Sequence, residues 1–182
     1  RNPTALGNAL FAVGWTFARD DPDVALPALE ESITLARTGG YDATYGTMLS
    51  VAAEIRARNG DLLGALRDLR DAIVRSVEIG DHQNFASAAM NGAVIAMLAG
   101  RAELSAVLGG FSEDAPMGAM VLRHNPEDAV AGLQQSQRSA RDALGPSEHE
   151  AARARGAAMG IDEVAAYAAE AIDRFLAEQV VG

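Results

Sequence analysis

The chain contains no cysteine, and all 15 of its basic residues are arginine, so it has no lysine either. Without cysteine there are no disulfides, no thiolate metal ligands and no cysteine nucleophile. Without lysine there is no Walker-type phosphate lysine and no Schiff-base lysine. Aromatic residues make up only 5% of the chain, so packing must come from Ala, Leu, Val, Ile and Met, whose small or flexible side chains favour close helix contacts. No run of 18 apolar residues escapes a charge or a break, which excludes a membrane-spanning helix, and no signal-peptide pattern is present. Basic stripes are also missing. The net charge is −10, and a surface this acidic repels phosphate backbones, so direct nucleic-acid binding is not expected. A cytoplasmic setting fits the lack of cysteine, leader and span.

What the chain does have is helix. A length of 182 residues with 49% apolar content is enough for one domain with a sizeable core, or one domain with an appendage. The start at Arg1 rather than Met suggests a piece of something longer. Apolar and small residues recur at a spacing of 40: Gly40 with Gly80, Gly60 with Gly100, and the columns Val13/Ala53/Ala93, Trp15/Ile55/Ile95 and Phe17/Ala57/Met97. Ala25, Leu26, Leu29 and Ile33 match Ala65, Leu66, Leu69 and Ile73 at the same spacing. A period of this length is the signature of a helical repeat.

Each unit reads as two helices. Asn2 caps the first, Pro3 takes its first position, and Asp20-Asp21-Pro22-Asp23 forms the turn. The second helix runs to a stop at Gly39-Gly40. Unit two places helices at 42–58 and 61–79, separated by Asn59-Gly60 and capped by Asp61. Unit three has one at 83–99 and a short one at 102–108, ended by Gly109-Gly110. The helix over 61–79 is amphipathic, with Leu62, Leu66, Leu69, Ile73 and Val77 on one stripe and Arg67, Asp71 and Arg75 at i,i+4 spacing opposite. The helix over 83–99 carries no charge, so other helices must cover it on several sides. The expected organisation is all-α: antiparallel helix-pair repeats over 1–110, an irregular connection over 111–124, and C-terminal helices over 125–182 packing on the stack. In that last part helices are expected at 126–144 (capped by Asn125), 146–159 and 162–179.

No catalytic constellation stands out. His82 follows Asp81 at a helix start, and His124 precedes Asn125. His149-Glu150 is not followed by a second histidine at zincin spacing, so no metal site and no cofactor are expected. The acidic turn at 20–23 lacks the glycine and terminal glutamate of a calcium loop and reads as a cap. Carboxylates adjacent on a helix do not face one another. Asn84 and Asn91, one heptad apart on the uncharged helix, either satisfy their amides within the chain or face a groove.

Gly60-Asp61, Ala65 and Ala72 sit at offsets that resemble tetratricopeptide-type repeats, although that repeat has 34 residues and this one has 40. The segment Ala102–Glu113 and the positions Ala140-Arg141, Ala143-Leu144-Gly145, Ala152, Gly156, Met159, Asp162-Glu163 and Tyr167-Ala168 resemble the C-terminal helical-repeat region of actinobacterial multidomain regulators. These are LuxR-type and adenylate-cyclase-like proteins carrying a STAND-class ATPase. The resemblance implies a tetratricopeptide-like α-solenoid with a C-terminal helical cap. It implies a protein-interaction module restraining or releasing upstream domains of the same polypeptide, or binding another protein or peptide, with no activity of its own.

In stacks of that kind the first helix of each pair lines the concave face. The register places Leu10, Gly14, Phe17, Thr47, Ser50, Glu54, Met90, Val94 and Met97 there, beside Asn84 and Asn91. Either the C-terminal helices or a second copy fill this groove, or a peptide binds in it. A pocket for a small ligand between the repeats and the C-terminal helices is the alternative, and a homodimer is allowed.

Overall fold

The computed structural model describes residues 2–39 and 44–181, and these are all-α. The expected stop at Gly40 and helix start at Asp42 lie outside the described residues. Ten helices follow in order: α1 Pro3–Phe17, α2 Pro22–Gly39, α3 Tyr45–Arg58, α4 Leu62–Glu78, α5 His82–Leu98, α6 Ala102–Asp114, α7 Pro116–Leu122, α8 Glu127–Leu144, α9 Pro146–Ala158 and α10 Ile161–Val181.

Local chemistry sets many of their ends. The Asn2 side chain accepts from the Thr4 and Ala5 amides, with Pro3 in the first turn, and Asp21 accepts from the Val24 amide at 3.2 Å. One turn then recurs every 20 residues. Gly60, Gly80 and Gly100 all have positive φ, between 70° and 85°. Each amide that follows them, of Asp61, Asp81 and Arg101, bonds back to a carbonyl five residues earlier, at Arg56, Ser76 and Ala96. This closure satisfies carbonyls that a helix end would otherwise orphan. Asp61 and Asp81 then cap the next helix through the Gly64 and Asn84 amides.

Consecutive helices from α1 to α7 pack on one another, and α5 is covered by α3, α4, α6, α7 and α8, as its lack of charge requires. A small core joins α2 and α3 through Ala25, Leu29, Val51, Ala52 and Ile55, with Phe11 of α1 against it. The large core runs from Leu49 to Ile172 and centres on α6, where nine consecutive residues, Leu104 to Ser112, are buried. Phe111 meets Phe85 of α5 edge to face at 5.5 Å.

The segment after 108 departs from expectation. Gly109-Gly110 does not end α6, which continues to Asp114, and α7 occupies much of the stretch expected to be irregular. The reason is close helix packing. A Cβ on Gly110 would lie 2.1 Å from the Arg153 carbonyl oxygen, and one on Gly156 would lie 1.9 Å from that of Val107. The glycines let α6 and α9 touch backbone to backbone. Gln137 of α8 fills the space over Gly109 and donates to the Ser105 carbonyl at 2.9 Å. Asn125, expected to cap the next helix, donates back to Val121 instead, and Pro126 takes the cap position of α8. The ladder expected from Arg67 to Arg75 is replaced by Arg70–Asp71 and Arg75–Glu78 pairs.

The C-terminal helices take separate places. α8 lies on α5 and α6, α9 on α6 and α8, and α10 on α4 and α6. Arg70 of α4 bonds Asp173 of α10 at 3.1 Å, and the Arg101 guanidinium sits over the Phe175 ring at 4.9 Å.

A candidate binding groove

A groove of about 780 Å³ runs across the α1, α3 and α5 side of the molecule. α3 supplies Thr47, Ser50, Val51, Glu54, Ala57 and Arg58; α5 supplies Asn84, Ser87, Asn91, Val94, Ile95 and Leu98. Trp15, Thr16, Ala18, Arg19 and Asp20 form the wall at the end of α1, and Pro126, Asp128, Ala129 and Gly132 form the wall at the start of α8.

The α3 and α5 stripes are matched. Thr47, Val51, Glu54 and Arg58 pair in register with Ser87, Asn91, Val94 and Leu98, each 40 residues on. Of the residues read from the sequence, Thr47, Ser50, Glu54, Asn84, Asn91 and Val94 line the groove. Leu10, Phe17, Met90 and Met97 do not. Met90 is 3% exposed and belongs to the core, and Met97 packs against that core. Phe17 is 41% exposed on another side of α1. On α5 Asn91 and Leu98 line the groove where Met90 and Met97 were expected to, and one residue on a helix is a rotation of about 100°. The 40-residue period marks Trp15 as core rather than groove, and Arg19 and the α8 wall carried no sequence signal, because only the tertiary fold brings Asp128 to Arg19.

Two ion pairs border the opening. Arg19 bonds Asp128 at 2.7 Å, with both side chains more than half exposed. The Asp128 carboxylate holds the Arg19 guanidinium above its usual pKa, and Arg19 holds the Asp128 carboxyl below the usual carboxylate range. Arg58 lies 3.5 Å from Glu54 and also donates to the Ala18 carbonyl. Deeper along α5 the lining is polar but uncharged. The Asn84 amide donates to its own cap, Asp81, at 2.6 Å. Asn91 and Ser87 are half-buried and, among the described residues, no hydrogen bond engages their side chains.

The groove offers hydrogen bonding and apolar contact rather than bond-making chemistry. Among the described residues no groove hydroxyl is hydrogen-bonded to a carboxylate, and Thr16 donates to the Ala12 carbonyl. No histidine lines it. His82 is exposed at the start of α5, and His124 bonds the Met120 carbonyl through Nδ1 at 2.9 Å. His149 is buried on α9, with an Nε2 that has no hydrogen-bond partner among the described residues. No group of three or more His, Asp or Glu side chains suited to a metal ion occurs among the described residues, and none of their helices is long and apolar enough to cross a membrane.

Compared with models of protein families, with curated proteins and with solved structures, the chain matches none.

Proposed function

We propose that this chain is a non-catalytic binding module, an array of helix pairs whose groove takes a short extended peptide segment. The segment comes from upstream domains of the same polypeptide or from another protein, and the module serves a larger signalling or transcription regulator in the cytoplasm. The observation that carries the binding reading is Asn91. Its amide has a donor and an acceptor without a partner among the described residues, midway along the groove, beside the equally unengaged Ser87. An amide of this kind is complementary to a peptide main chain, which presents one N–H and one C=O per residue. Val94, Ile95 and Leu98 beyond it offer apolar contact to one side chain of the segment. The recurring glycine turn supports the array reading, and the regulator context rests on the resemblance of the C-terminal segments.

A random library of short displayed peptides, selected on the folded chain, tests this. Enriched peptides should bind Asn91→Ala and Val94→Asp at least about tenfold more weakly, a loss of about 1.4 kcal/mol. Both positions are half-buried in the groove rather than in the core, so circular dichroism should show the fold unchanged. Peptides that bind both variants as well as the parent chain would sink the reading.

A second reading has its own support. The start of α8 walls the groove on one side and the Arg19–Asp128 pair joins the two walls. The volume falls in the range of small-molecule sites, about 300–1,000 Å³. A sensor of this type should be stabilised in a thermal-shift screen by a metabolite whose effect disappears in Trp15→Ala.

A further inference from the structure

α1 has a second face that the groove does not use. It packs on α2 through buried Gly14, where a Cβ would meet Leu29 at 2.4 Å, and through Gly7, whose carbonyl accepts from Ser32 at 2.7 Å. On another side, Leu6, Val13 and Phe17 are 39%, 37% and 41% exposed, with half-buried Leu10 between them. Their spacing of four, three and four residues forms one stripe along the helix, the spacing of a helix–helix seam. None of the four lines the groove. Among the described residues, five of the eight exposed large apolar side chains, these three with Trp15 and Val24, lie on α1 and the start of α2, so the apolar exposure is concentrated rather than scattered.

We propose that this face is the contact between two copies of the chain, packed α1 on α1 about a two-fold axis. The argument for a second copy is electrostatic. α1 carries no charged residue, whereas the chain as a whole carries −10. Most of the surface therefore repels another copy, and this stripe is a place where two copies meet without bringing carboxylates together. The acidic protein attracts basic partners, but a basic partner docked here would bury its arginines or lysines against a face with no carboxylate to pair them, which is costly. A second copy brings an identical chargeless stripe, and a two-fold contact is self-complementary by symmetry.

Sedimentation equilibrium of the full chain should show a concentration-dependent dimer. Val13→Asp and Phe17→Asp, at positions already partly exposed, should weaken it by about 30-fold or more, the loss typical of a central interface residue. The absence of native cysteine makes a second measurement clean. Leu10→Cys and Val13→Cys, near the middle of the stripe, should form disulfide-linked dimers on mild oxidation, while Arg67→Cys on the exposed side of α4 should not. A chain that stays monomeric at every concentration and forms no cross-link at either position overturns the proposal, as does a dimer that both aspartate variants leave intact. Neither result bears on the groove, which is lined by other residues.

Discussion

Replacing Gly156 by alanine should destabilise the protein, while the same replacement at Gly132 should stabilise it. Both glycines lie inside helices, in α9 and α8, where alanine is intrinsically better by up to about 1 kcal/mol. Their surroundings differ. Nothing lies within 4 Å of a Cβ at Gly132, whereas at Gly156 a Cβ would sit 1.9 Å from the Val107 carbonyl oxygen and 2.8 Å from its carbon. Those atoms are backbone of α6 and cannot rotate away. Restoring an ordinary contact requires α6 and α9 to part by more than 1 Å, on the order of the gap that forfeits half of a dispersion well, along an interface that includes Gly110 against Arg153. Over-packing of this kind costs about 1–3 kcal/mol, sometimes more. Set against the propensity gain, Gly156→Ala should lose about 1–2 kcal/mol and Gly132→Ala should gain up to about 1 kcal/mol. Urea unfolding, with the slope checked for constancy between variants, would measure both. In a thermal scan each kcal/mol corresponds to about 2–4 °C at this chain length. Equal stabilisation by the two alanines would refute the view that α6 and α9 meet through their backbones.

Two further outcomes follow from single residues. His149 is 7% exposed, and burial, then Arg153 and Arg141, push its pKa below the ordinary histidine value, against the weaker pull of Glu150 and Glu113. Because the folded value is depressed, the neutral ring is the form the fold prefers. Its contribution is complete above the unfolded pKa of about 6.5 and is lost as pH falls below that value towards the folded pKa. The unfolding midpoint should therefore fall between pH 7 and pH 5, and His149→Gln should flatten that slope; an unchanged slope would remove His149 as its source. Gly80→Ala should cost about 1–2 kcal/mol in chemical denaturation, because the site has positive φ and no neighbour within 4 Å, so the penalty is that of the left-handed backbone alone.

The sequence was legible where structure is decided locally. Asn2 and Asp61 cap the helices they were expected to cap, the acidic turn at 20–23 caps through Asp21, and Gly60 ends its helix, because a cap bonds within its own turn. The same local rule failed at Gly109-Gly110. A glycine pair inside an apolar run can end a helix or admit a neighbouring one, and which it does depends on residues more than 40 positions later, Arg153 and Gly156. The burial of His149 was hidden for a similar reason: α9 packs on α6 and α8, which are distant or unmarked in its sequence neighbourhood.

The groove shows the limit most clearly. On α4, charge marks the outer face, and of the stripe read from the sequence Leu66, Leu69 and Ile73 are buried while Leu62 and Val77, at its ends, are partly buried against the same core. α5 offers no such contrast. Met90 and Asn91 are adjacent on a helix without charge, and either could point inward by periodicity alone. Burial resolves the choice: Met90 is in the core, and Asn91 is half-buried and lines the groove. The 40-residue columns carry the same lesson in reverse. Ile55 and Ile95 are buried to within 2%, but Trp15, in the same column, is 57% exposed. α3 has α2 packed before it and α5 has α4, whereas among the described residues α1 packs chiefly on α2. Equivalent letters therefore meet different surroundings, and the apolar residues of α1 that the period marks as core are the ones free to bind: Trp15 at the groove wall, Val13 and Phe17 on the stripe that another copy would cover.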